Sequence, residues 1–303
     1  MYEELRPVPF SEATGKIRYN MLNDCMFHLV LQNNAYALKG LIASLLHKSP
    51  EEIKSTEVKN PIFIGDSMDS KTFILDVIVE FNDSDIIDLE MQVKDYKNWI
   101  PRSMSYLCRE FLNLEHGDNY NRVKGAYHVG FLDYDLFPDH REFYATSRMR
   151  NIKDGHNYTD KFTLSVVSLN QTELSTDEDK RFGIDTWVKS FKATTWEELK
   201  MIAQNNSYID SVAQSIYGNN LDPRILELCK KRQEEIDGEN YRIRRLEELE
   251  AKNLEQASTI SVQASTISKQ SSTISKLAST ITDQASEIER LRAALKANNI
   301  NAD

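Results

Sequence analysis

The clearest alternation of apolar and polar positions lies between Phe73 and Val93. Leu75, Val77, Val79 and Phe81 fall on one side of a β-type run from Phe73 to Phe81, and Leu89, Met91 and Val93 on one side of a second run from Ile86 to Val93. The cluster Asn82-Asp83-Ser84-Asp85 between them is turn-forming, so the pattern predicts a β-hairpin. Asp76, Glu90 and Gln92 occupy the sides opposite those apolar stripes. A turn centred near Asp83 sets Asp76 across from Glu90, where facing residues have Cβ atoms roughly 5 Å apart. Two facing carboxylates repel, and a divalent cation, a shared proton or a nearby Lys or Arg would relieve that repulsion. The plainer alternative is two acids on the wet face of a hairpin.

On either side of the hairpin the period changes to that of helices. Met21, Leu22, Met26, Phe27, Leu29 and Val30 predict one helix and Leu38, Leu41, Ile42, Leu45 and Leu46 a second, with Gln32-Asn33-Asn34 between them. Ser49-Pro50-Glu51-Glu52 has the form of a capped helical start, ahead of an extended run from Val58 to Ile64. After the hairpin, Trp99, Ile100, Met104, Leu107, Phe111, Leu112 and Leu114 mark a helix on which Arg102 and Tyr106 share one side. Strands are predicted over Ala126 to Leu132 and Phe162 to Leu169, with a polar, aromatic-rich connection from Asp133 to Tyr158. Helices follow over roughly Asp185 to Phe191, Trp196 to Gln204, Ser207 to Tyr217 and Asp222 to Ile236. The sum is an α/β (α+β) domain, a small sheet flanked by helices.

Beyond Asp237-Gly238 the chain turns to Ser, Thr, Gln, Ala and Glu, and Ile260, Ile267, Ile274, Ile281, Ile288 and Leu295 recur every seven residues. With these at position a, Leu249, Gln256, Gln263, Gln270, Leu277, Gln284 and Leu291 fall at d, the pattern of a left-handed coiled coil. A register with Ile at d is the alternative. The expected division is a folded domain over 1–237 and a heptad segment over 238–303 that makes a homo-oligomer, dimer or trimer.

The net charge of −10 excludes a uniformly basic coat for bulk nucleic-acid or membrane binding but leaves room for a local basic groove. No apolar run has the length a bilayer needs and no signal-peptide pattern opens the chain, so no membrane partner and a cytoplasmic location are expected. The three cysteines, Cys25, Cys108 and Cys229, have no zinc spacing and read as buried free thiols. The histidines have no metal-ligand spacing, and no phosphate-binding Gly-rich motif occurs.

Taken together, Asp76 in Ile74-Leu75-Asp76-Val77 and the tripeptide Glu90-Met91-Gln92 behind Asp88-Leu89 resemble the Asp and acid-x-Gln motif of the PD-(D/E)XK nuclease superfamily, in its recombination-promoting nuclease and putative transposase branch. The likeness spans roughly Leu22 to Tyr217 and includes Asp24-x-x-Phe27, Arg102-x-x-x-Tyr106 and Trp196-Glu197-Glu198-Leu199, in family order. It implies a restriction-endonuclease-like core with a mixed central sheet, acting as a Mg²⁺- or Mn²⁺-dependent DNA endonuclease. Asp76 and Glu90 would hold the metal, and Gln92 would position a water or a phosphate oxygen. Asp24 would approach the metal or merely cap its helix. Arg102 and Lys94 would offset phosphate charge, since Gln92 replaces the Lys common elsewhere in the superfamily; Tyr106 would join them at the DNA or only pack. The same resemblance admits a weak or inactive nuclease fold that binds DNA or assembles partners through its coil.

Overall fold

In the computed structural model the described residues are 8–62, 76–82, 85–111 and 123–297. The chain divides into two units, Met1–Glu239 and Asn240–Asp303. The first is built on a six-stranded mixed sheet in the order β1-β2-β3-β4-β6-β5. Its strands are β1 (Thr56–Val58), β2 (Val77–Phe81), β3 (Asp85–Gln92), β4 (Ala126–Leu132), β5 (Tyr144–Arg148) and β6 (Phe162–Ser168). The outer pairs β1/β2, β2/β3 and β5/β6 are antiparallel, whereas β3/β4 and β4/β6 are parallel.

The sheet is covered unequally. On one face Val77, Val79, Ile87, Leu89, Met91 and Phe131 pack into the main core with α1 (Asp24–Gln32), α2 (Ala35–Leu45), α5 (Ile184–Lys192), α6 (Trp196–Ala203) and α7 (Ser207–Leu221). Helix α1 is apolar nearly all round and buried from Asp24 to Leu31, as expected of a central helix. Asn23 starts it by accepting from the Met26 amide at 3.2 Å, and Asn34 starts α2 by accepting from Ala37 at 2.9 Å. These two asparagines turn one apolar stretch into two helices. Gly40 lets α2 meet α7, because a Cβ there would lie 2.4 Å from the Tyr208 ring.

The other face is covered by α3 (Trp99–Phe111), whose inward positions are Trp99, Ser103 and Leu107, one turn apart. Trp99 joins Leu132 and Val166 in a small second core and lies against the backbone of Gly130.

Several expectations are corrected. The Asp133–Tyr158 connection contains β5, an edge strand whose burial is too slight to leave an apolar stripe. A short α4 (Asp177–Arg181) forms on a capping box between Thr176 and Asp179 in a segment with no apolar period. Of the extended run expected over Val58 to Ile64, only Val58 is strand among the described residues, at the end of β1 (Thr56–Val58), and Phe63 and Ile64 lie outside them; the Ser49-Pro50-Glu51-Glu52 start makes only a single 3₁₀ turn at Pro50–Glu52. Phe73 to Leu75, the Asp83-Ser84 centre of the expected turn, Leu112 and Leu114 lie outside the described residues. Cys25 and Cys229 are buried but Cys108 is exposed, because it falls beside rather than on the Trp99/Ser103/Leu107 line. The last helix does not stop at Ile236: α8 runs through Asp237-Gly238 over Pro223–Ala297. Among the described residues no helix is long and apolar enough to cross a membrane.

Candidate active site

The site grows from a conflict in β3. This strand is buried on both faces, yet one of its faces carries Asp88, Glu90 and Gln92, at 0%, 4% and 5% exposure. A strand in the middle of a sheet ordinarily reads as continuous apolar residues. Acids held there against the cost of desolvation need partners or a ligand. The pairing Val77↔Leu89 brings Asp76, just ahead of β2, into line with Glu90, the register expected for the hairpin. Asp76 is itself buried.

Helix α3 supplies counter-charge. Arg102 Nη2 lies 2.6 Å from Glu90 Oε1, and Arg109 Nη2 lies 3.6 Å from Asp76 Oδ2. Between them Tyr106 offers its ring to both guanidinium groups, at 5.1 and 4.7 Å from its centroid. Arg102, Tyr106 and Arg109 stand at i, i+4 and i+7 and so form one stripe of the helix. The sequence pattern marks Arg102 and Tyr106 but not Arg109, although the same helical step reaches it.

Parallel pairing of Asp88 with His128 adds a second layer. His128 Nδ1 is 3.1 Å from Asp88 Oδ2 and its Nε2 is 3.7 Å from Glu90 Oε2, with the ring wholly buried. Trp99 and Tyr106 flank that ring, with centroids 5.4 and 5.9 Å away. Gln92 donates through Nε2 to Lys94 O at 2.9 Å and to Tyr134 Oη at 2.7 Å. The amide is thereby fixed.

Asp24, Asp76, Glu90, Gln92, Lys94 and Arg102 together line a cavity of about 270 Å³. Asp24 reaches it with both oxygens engaged, since Arg232 Nε donates to them at 3.0 and 2.9 Å and Nη2 adds a 2.7 Å bond. Arg232, from α8, was not foreseen; nothing local in the sequence couples it to a residue so far away. Tyr96, also in the lining, donates a 3.0 Å bond to Glu239, and burial together with that carboxylate pushes its hydroxyl up to about 12.

Burial dominates the electrostatics. It raises Asp76 from the usual 3.8 to about 7, with the Asp88 and Glu90 charges adding and Arg109 opposing. Burial raises Glu90 as well, against the pull of Arg102. Both oxygens of Asp76, Oε2 of Glu90 and Oε1 of Gln92 are buried acceptors without a hydrogen-bond donor. A hard divalent cation fits this set, because it takes oxygen ligands and commonly only one or two carboxylates. No group of three His, Cys, Asp or Glu side chains converges as a metal centre among the described residues. A cation here would therefore rest on two acids, an amide oxygen and solvent.

No curated protein and no solved structure matches the chain. A family model does, over residues 21–245, and its description is PD-(D/E)XK nuclease family transposase. The matched span holds Asp24, Asp76, Glu90, Gln92, the α3 stripe and Arg232, and on that match this chain belongs to the PD-(D/E)XK nuclease family transposases.

Proposed function

We propose that the chain is a divalent-metal-dependent DNA endonuclease that hydrolyses phosphodiester bonds and works as a homo-oligomer joined through its C-terminal heptads. The observation that carries this reading is the set of buried, donor-less oxygens of Asp76, Glu90 and Gln92 gathered at one cavity. Asp76 and Glu90, with Gln92 Oε1, would hold Mg²⁺ or Mn²⁺. Such an ion supplies Lewis-acid charge to the scissile phosphate and to the departing oxygen.

The chain's own groups do the rest. Gln92, held by Lys94 O and Tyr134, keeps Oε1 fixed as an acceptor able to orient a water. Arg102 is partly exposed and can exchange its bond to Glu90 for one to a phosphate oxygen once the carboxylate is otherwise neutralised. Arg109, held over Tyr106, and Lys94 in the cavity lining add local positive charge to a molecule whose net charge is −10. The salt dependence of DNA affinity scales with the number of phosphates neutralised, so a set of cations this small predicts a shallow one. Two copies joined through the heptads would bring one site to each strand of a duplex.

The test is cleavage of supercoiled plasmid with Mg²⁺ or Mn²⁺. Asp76→Ala and Glu90→Ala are each expected to lower the rate by about 100-fold or more, with folding checked by circular dichroism. Undiminished cutting by both variants overturns the assignment. The 2.6 Å Arg102–Glu90 ion pair favours a second reading, a nuclease fold that binds DNA without cutting it. Retained binding with no cleavage in any divalent metal would support that reading instead.

A further inference from the structure

The heptad stripe of α8 lies open to solvent. Ile267, Ile274 and Ile281 are 64%, 66% and 65% exposed, and Leu249, Leu277 and Leu291 on the adjoining positions are exposed as well. A helix with such a seam buries it against other helices of the same kind. The repeats themselves barely specify how, because units such as Ala257-Ser258-Thr259-Ile260 and Ala264-Ser265-Thr266-Ile267 are near copies, and a slip of one heptad puts like against like.

Charge at the two ends resolves the ambiguity. With Ile at a, the charged g positions are Arg245, Lys252 and Glu287 and the charged e positions are Glu250 and Arg292. In parallel helices a g residue faces the e residue five positions later on its neighbour. In register, Arg245 of one copy meets Glu250 of the next, and Glu287 meets Arg292. A slip of one heptad sets Arg245 of one copy against Ala257 and Glu287 of the other against Ala285, so a pair of helices loses its four in-register contacts and gains a single Lys252–Glu250 contact. An antiparallel arrangement brings g to g and e to e. Arg245–Glu287 and Glu250–Arg292 contacts then need different registers, so no single antiparallel alignment makes both.

The polar layers point the same way. Gln263, Gln270 and Gln284 at d each face their own kind in a parallel, in-register coil, where one amide donates and the other accepts. Antiparallel pairing sets d against a and leaves each glutamine facing an isoleucine, with a buried amide unsatisfied. Within one chain Arg245 sits 3.1 Å from Glu248 and Arg290 3.5 Å from Glu287; these are exposed pairs of small worth that can give way.

We propose that copies of this chain associate from Leu246 to Leu295 as a parallel, in-register coiled coil, its register set by Arg245–Glu250 and Glu287–Arg292 contacts between copies. This rests on the self-association proposed above.

The test uses the full chain with Cys108→Ser, since Cys108 is exposed. Gln263→Cys alone should give disulfide-linked dimers on mild oxidation. Mixing tagged Gln263→Cys with untagged Gln284→Cys should give links only between like variants, because the two positions are three heptads, about 30 Å, apart along the helix. Links between unlike variants as frequent as those between like ones overturn orientation and register alone, whereas a monomeric mass by sedimentation overturns the proposal together with the self-association beneath it. As a second readout, Glu287→Arg should weaken association about tenfold, the cost of turning symmetry-related attractions into repulsions. Adding Arg292→Glu should restore it. Failure of that restoration overturns the proposed contact.

Discussion

Asp76 has the most informative titration in the molecule. An acid whose folded pKa lies above its unfolded one keeps its proton longer in the folded chain. Its rise from 3.8 to about 7 means that this contribution is fully present below about pH 4 and is lost as pH climbs through 7. Asp76→Asn, which has no proton to lose, should be equal to the metal-free wild type near pH 4 and more stable than it at pH 8. The gap should be on the order of a few kcal/mol, at about 1.4 kcal/mol per pKa unit. Urea unfolding in chelator across that range measures it, and parallel curves would show that burial of Asp76 costs the fold nothing. Residues of this kind were legible where local alternation exposed them. Asp76, Glu90 and Gln92 could be placed by period two alone, and their facing register followed from the turn. Asp88 shares the Glu90 and Gln92 face and was equally readable, but its partner His128 depends on a parallel pairing with β4 that no local pattern encodes. Arg232 depends on the return of α8 to the start of α1 and had no signal at all.

At the scale of elements, the site depends on how closely α3 approaches the sheet. Trp99 can lie over β4 only because position 130 has no side chain; a Cβ there would come within 2.1 Å of the indole. Gly130→Ala should therefore destabilise the protein by about 1–3 kcal/mol, the usual cost of overpacking. Cleavage should fall as well, since Trp99 opens the helix that carries Arg102. Trimming the indole in Gly130→Ala/Trp99→Leu should cost less than the two single changes added together, by thermal or urea unfolding. Strict additivity would show that the contact carries no strain. The same element shows where pattern reading succeeds: α1, α2, α3 and α7 were found because each has a capping residue or an apolar face. It fails for β5 and α4, the one an exposed edge and the other a capped acidic turn, which leave no periodic trace.

Across the whole molecule, the core and the heptads are separate in sequence. The last buried residue among those described is Ile236, and from Asn240 onward α8 contributes no buried side chain. Ending the chain at Glu239 removes the seam but no core residue, and it keeps Arg232 on Asp24 and Tyr96 on Glu239. Such a truncation should unfold with the same midpoint as the full chain, to within about 0.5 kcal/mol as for changes away from packed sites. It should also sediment as a monomer. On the proposed endonuclease reading one site cuts one strand, so nicking of supercoiled plasmid should persist while linear product falls at equal site concentration, because the second cut must await an independent encounter. Raising the truncated protein's concentration should then recover linear product, whereas the full chain should make it at low concentration. Equal nicked-to-linear ratios for the two proteins at every concentration would separate the heptads from double-strand cleavage and leave them a role in assembly alone.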